Sequence, residues 1–256
     1  MIFKRILHRR SFFVAIVVLV IAPLLFYYVR EARKVSYTPT AYEKELIDYF
    51  KEIALQSEYY DNSQKTIKWE KPMSLYVVKE KELKSQMSVI KKAINKINDL
   101  ATDGFKIKLT NNLSNSNAVL YLCKKARVAE LAPQFYEILT DGIDYEISGY
   151  AYSQYATDTH IINKALIFVS TEEAFNVQES TILEELAQSL GLAFDSKKYA
   201  NSIFYKNKSE QEIRTSEYSR LDRDLIRLLY HPKMEPGLDS TGLNKALKKI
   251  LKSEKN

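Results

Sequence analysis

The sequence predicts an α+β fold: a mixed sheet with a buried, active-site-like helix, then a mainly helical C-terminal subdomain, all preceded by one transmembrane helix. Three observations carry this. Residues 12–28 form an apolar run broken in character only by Pro23. Between Trp69 and Ser170, short apolar or period-two stretches alternate with a longer stretch of helical period. Finally, Leu183, Leu186, Ala187 and Leu190 fall at helical intervals ahead of Gly191, a residue suited to the left-handed turn that closes a helix.

At 1.5 Å per residue the first apolar run covers about 25 Å. With Ser11 and Val29 it reaches the roughly 20 residues that a bilayer core requires. Phe26, Tyr27 and Tyr28 suit the membrane interface. A cleaved signal peptide is the competing reading, but the run is long for one and no Ala-x-Ala site precedes Arg30. The expected organisation is therefore a cytoplasmic tail (1–10), a signal anchor (11–29), a juxtamembrane helix and linker (30–64), and an extracytoplasmic domain (65–256) on the periplasmic side of an inner membrane. Basic residues on the two sides of the span are nearly balanced, and the short tail decides the orientation.

The net charge of +6 is local. Seven of the 38 Lys and Arg residues, and one of the 32 Asp and Glu residues, precede Ser36, which leaves 31 of each sign beyond it. The excess flanks the span, so nucleic acid is not an expected partner. Cys123, the single cysteine, excludes an intramolecular disulfide and reads as a small buried side chain.

After the span, Thr40 and Glu43 stand at capping-box spacing, and Leu46, Phe50, Ile53 and Ala54 make one helical stripe. Residues 74–78 read as a strand. Residues 85–100 read as a helix with Val89, Ala93, Ile94 and Ile97 on one face, and 105–109 and 118–123 as two further strands. Residues 147–156 alternate weakly and are rich in tyrosine. Asp158, Thr159 and His160 form a turn, and 165–170 is a short buried strand. A helix is expected over 216–229. Another, over 241–252, sets Leu243, Leu247, Ile250 and Leu251 against Lys245, Lys248, Lys249 and Lys252. That basic face is either a solvated surface or a contact with anionic lipid.

The chemistry concentrates on residues 184–191. Glu184 and Gln188, four apart, project from one helix face, and Glu185 projects about 100° round from them. This is the frame of the zinc-protease helix His-Glu-x-x-His, with Glu185 at the position of the general base and Gly191 at the turn glycine of the longer pattern. Glu184, Gln188 and Phe194 occupy the ligand positions, so no zinc or other cofactor is expected and no metal ligand is assigned. His8, His160 and His231 are the only histidines, and His8 lies on the tail, so three cannot meet outside the membrane. Calcium needs six or more oxygens, and no loop is dense enough in carboxylates to supply them. Glu184 and Glu185 diverge on a helix and cannot flank one glycosidic bond, and recruiting Asp195 or Asp222 has no support from spacing.

Glu184-Glu185-Leu186-Ala187-Gln188, Leu190-Gly191-Leu192, Asp195-Ser196, Ser202-Ile203-Phe204, Leu221-Asp222, Leu229-Tyr230-His231-Pro232 and Pro236-Gly237 stand in an order that resembles the bacterial domain of unknown function 2927. The resemblance is clearest from Trp69 to Leu238 and departs at Phe194 and Leu238, where Asn and Met are expected. That family is similar to zincins and metzincins with degenerate metal ligands. The resemblance thus implies a zincin-like sheet, with Asp222 and Tyr230 on the last helix of the frame. It also implies that an extended peptide would lie along the edge strand 149–156, where Tyr150 and Tyr152 would meet it.

Three roles remain for Glu184, Glu185 and Gln188: bracing loops through buried hydrogen bonds, lining a peptide-binding cleft, or serving an atypical hydrolase in which Glu185 is the base. A carboxylate facing water with a pKa of about 15.7, instead of roughly 7 on zinc, lacks the main lever of metallopeptidases. The expected function is a membrane-anchored, non-catalytic module binding a peptide or envelope protein, with a metallopeptidase-like hydrolase as the alternative.

Overall fold

The strands β1 (Met73–Lys79), β2 (Ile107–Thr110), β3 (Ala118–Cys123), β4 (Gly149–Tyr155) and β5 (Ile162–Ser170) form one sheet in the order β2-β1-β3-β5-β4. The structure is a computed structural model that describes residues 37–56, 64–79, 82–142, 145–206 and 215–255. The expected tail and membrane anchor, residues 1–29, lie outside them. No helix among the described residues is long and apolar enough to cross a membrane.

The sheet is parallel from β2 through β5, and β4 alone runs antiparallel, on the outer side of β5. The central strand β3 is buried at all six positions, as a parallel strand covered on both faces must be. On one face, Val119, Tyr121 and Cys123 of β3, Phe168 of β5 and Tyr150 of β4 pack with Val128, Phe135 and Leu139. The last three come from α3 (Lys125–Leu131) and α4 (Pro133–Thr140). These two short helices were not legible as periodic stretches. On the other face, α5 (Phe175–Gln188) lies against β4 and β5 and packs with α2 (Lys84–Leu100), whose Val89, Ile90, Ala93, Ile94 and Ile97 are buried.

The first helix, α1 (Ala41–Leu55), begins at the expected capping box: the Glu43 N–H donates to the Thr40 hydroxyl at 3.2 Å and the Thr40 N–H donates to the Glu43 carboxylate at 2.6 Å. Its apolar stripe packs on α6 (Arg220–Leu229) and α7 (Ser240–Ser253). One compact unit therefore runs from Pro39 to Asn256 and includes α1, the helix that the sequence assigns to a juxtamembrane segment. Leu243, Leu247, Ile250 and Leu251 of α7 are buried, each worth about 1.5–3 kcal/mol of transfer free energy, while Lys245, Lys248 and Lys249 stay exposed opposite them.

Candidate functional site

Helix α5 is held at its C-terminal end by residues far away in the chain. The turn that follows it contains Gly191 at φ 109°, where a Cβ would lie 2.1 Å from the Ile67 carbonyl oxygen. Only glycine satisfies both the dihedral and the close approach. The Trp69 indole N–H donates to the Ser189 carbonyl at 2.9 Å, and the Tyr230 hydroxyl donates to the Leu190 carbonyl at 2.9 Å while accepting from the Trp69 N–H at 3.3 Å. Tyr230 is fully buried, and burial pushes its hydroxyl far above the ordinary tyrosine range. Tyr230 thus fixes the turn after the motif and does not reach the cleft.

Asp222 is likewise a brace. Fully buried at the first turn of α6, it accepts from the Ser202 hydroxyl at 2.5 Å, the Ser219 N–H at 2.8 Å and the Ile203 N–H at 3.3 Å. Burial pushes its carboxyl above the usual range, and these donors oppose the shift. The Tyr49 hydroxyl donates to Ser202 at 2.9 Å, which links α1 to the same network.

The remaining motif residues come together. Thr181, Glu184, Glu185 and Gln188 of α5, residues 145–150, and Asp195, Tyr205 and Lys206 line a cleft of about 230 Å³. Gln188 donates through its amide to Asp195 at 2.8 Å, and the Lys206 ammonium lies 3.7 Å from the other Asp195 oxygen. That pair joins the loop after α5 to the helix, as a bracing role requires. Glu185 is only 5% exposed, and its carboxylate is pressed against Gly149 at the start of β4, where a Cβ would come within 2.5 Å of Oε1 and 2.3 Å of Thr181 Cγ2. Glycine in a strand marks such a close approach, so Gly149 was findable from sequence. Lys206 and Tyr205 carried no signal there, because only the folded loop brings them to α5, whereas Thr181 stands on α5 itself, one turn before Glu185. A larger cavity, about 490 Å³ between α2 and residues 216–223, contains none of the motif residues.

The rim is β4, the outermost strand. The Ser170 N–H donates to the Ser148 carbonyl at 2.8 Å, which makes Ser148 and Ser170 a hydrogen-bonded pair. Since such pairs alternate along an antiparallel ladder, Tyr150 and Tyr152 direct their peptide groups to β5, and Gly149, Ala151 and Ser153 direct theirs away from it. The tyrosine rings do not stand where the sequence reading puts them. Tyr150 is 3% exposed and packs 6.3 Å from Phe135, and Tyr152 lies against the same cluster. The period of two turns both rings under α3 and α4 instead of toward an incoming chain.

Among the described residues, no three His, Cys, Asp or Glu side chains converge as a metal site. His160 stacks on Tyr155, and His231, whose basicity burial lowers, accepts from the Lys233 N–H at 3.0 Å; neither lines the cleft. Glu184, Glu185, Gln188 and Asp195 offer oxygen donors only, which suit hard cations better than zinc.

No curated protein matches the chain in sequence. The pattern of a protein family of unknown function, DUF2927, matches residues 43–249, from the first turn of α1 into α7. By that match over most of its length, the chain belongs to the DUF2927 family.

Proposed function

We propose that the protein is a membrane-anchored, extracytoplasmic, zincin-like module that captures an extended segment of an envelope protein along β4 without cleaving it. The observation that carries this reading is the outermost antiparallel strand at the rim of the cleft, with the peptide groups of Gly149, Ala151 and Ser153 turned away from β5. An added strand gains its affinity from such groups and needs no metal. The zincin-like part is supported by the position of β4 beside α5, with Glu185 at the base position of the helix and Gly191 closing it. The bound segment pairs through the main chain, since the rings of Tyr150 and Tyr152 are packed inward.

A photoreactive residue at the exposed positions Glu146 or Gln154 should yield an adduct with the partner in cells, whereas one at Lys91 on α2 should not. Ala151→Pro removes an outward-directed donor and should abolish the adduct while leaving the fold, since proline is tolerated on an edge. Adducts from Lys91 alone, or adducts that survive Ala151→Pro, would overturn the reading. One observation favours the hydrolase alternative, namely the Glu185 carboxylate at the cleft floor. Peptide hydrolysis that Glu185→Gln abolishes would establish it.

A further inference from the structure

We infer that the lysine face of α7 is a docking surface for the anionic headgroups of the membrane that anchors the chain. Lys245, Lys248, Lys249 and Lys252 lie within an arc of about 100° on this helix, taken at 100° per residue, opposite its buried Leu243, Leu247, Ile250 and Leu251. No acidic residue stands among them, and Lys245, Lys248 and Lys249 are exposed.

The fold puts the end of this helix beside the first turn of α1. The Lys255 ammonium is 2.9 Å from the Glu43 carboxylate, so the end of α7 meets the first turn of α1. Arg227 bridges Asp224 of α6 and Glu254, and the Tyr42 hydroxyl donates to Asp224 at 2.6 Å. The first turn of α1, α6 and the end of α7 thereby meet at one pole of the unit. Only residues 30–38 separate the expected span from Pro39, a tether of at most about 30 Å when fully extended. Charge complementarity then selects the occupant: a phospholipid surface carrying negative charge attracts each nearby lysine by roughly fivefold in association.

The inference rests on the anchor reading, and one experiment separates the two. The full chain is placed in vesicles of phosphatidylethanolamine with or without phosphatidylglycerol, and carries a fluorophore at Ser253→Cys or, as a control, at Lys91→Cys; Cys123 is fully buried and stays unlabelled. A nitroxide on the lipid headgroup should quench the Ser253 label in anionic vesicles and leave the Lys91 label bright. Lys245→Gln with Lys249→Gln should remove most of that quenching, as should 1 M salt, at which the screening length is about 3 Å. Quenching equal at the two positions, or unchanged without phosphatidylglycerol, would overturn the inference. Release of the chain by alkaline carbonate would refute the anchor alone, because quenching at Ser253 still reports on the helix face.

Discussion

Replacing Gly191 by alanine tests whether the turn after α5 is built as described. Two costs add. The residue sits at φ 109°, outside the region that L side chains adopt without strain, at about 1–3 kcal/mol. The new Cβ would also stand 2.1 Å from the Ile67 carbonyl oxygen, a backbone atom that cannot swing aside as a side chain can. Forcing that segment back is an overpacking cost of about 1–3 kcal/mol. For a domain of this size each kcal/mol lowers Tm by roughly 2–4 °C, so Gly191→Ala should melt roughly 4–24 °C below the parent in a circular-dichroism scan. Gly142→Ala is the control: its φ is 66°, and nothing lies within 4 Å of the added Cβ. It should lose only the conformational part, about 1–2 kcal/mol. A Gly191→Ala protein melting no lower than Gly142→Ala would show that Ile67 does not press on this turn.

Three further outcomes are expected. Gly149→Ala should drive Glu185 and Thr181 away from β4, cost about 1–3 kcal/mol in a denaturant titration, and abolish the adduct from Gln154; an unchanged midpoint would mean that helix and strand are not in contact. Although burial alone pushes the Glu43 carboxyl up, hydrogen bonds from the Thr40 N–H, Lys255 and the Thr40 hydroxyl bring it from 4.5 down to about 2. Its folded value is depressed, so its contribution is present above pH 4.5 and is lost as the pH falls toward about 2. Glu43→Gln should flatten the stability profile in that window, and equal slopes for the two proteins would contradict the assignment. Elemental analysis of the purified chain should find less than stoichiometric zinc, and a chelator should leave Tm unchanged; stoichiometric zinc, or unfolding by the chelator, would refute the non-metal reading.

The parts legible in the sequence are those specified locally. The capping box of α1 lies within four residues, the stripe of α2 within four turns, and β3 is apolar throughout. Gly191 was legible as a turn glycine because the apolar stripe stops there. What the sequence could not give is set by distant partners. Asp222 is spaced like a motif residue, yet its partners include Ser202, 20 residues earlier in the chain. Tyr150 and Tyr152 alternate as edge residues do, but which face meets α3 and α4 is decided by the sheet order. The cleft combines α5 with Asp195 and Lys206, and spacing does not encode that encounter.

The pinning of the α5 turn also has a consequence for the time course of folding. Trp69 and Tyr230 are 161 residues apart, and Trp69 and Ser189 are 120 apart, so these bonds close very large loops. Loop closure of that size follows the local helices and hairpins, which makes the pinning of the turn after α5 one of the last steps. During synthesis Tyr230 leaves the ribosome after every strand of the sheet, so a nascent chain displays β4 as an open edge before its neighbouring turn is locked. Pulsed hydrogen exchange on refolding chain should then protect β3 and β5 before the Trp69 amide, which donates to the Tyr230 hydroxyl. Simultaneous protection would place the closure early. An edge strand completed before its surroundings is the exposure that favours association between unfinished chains.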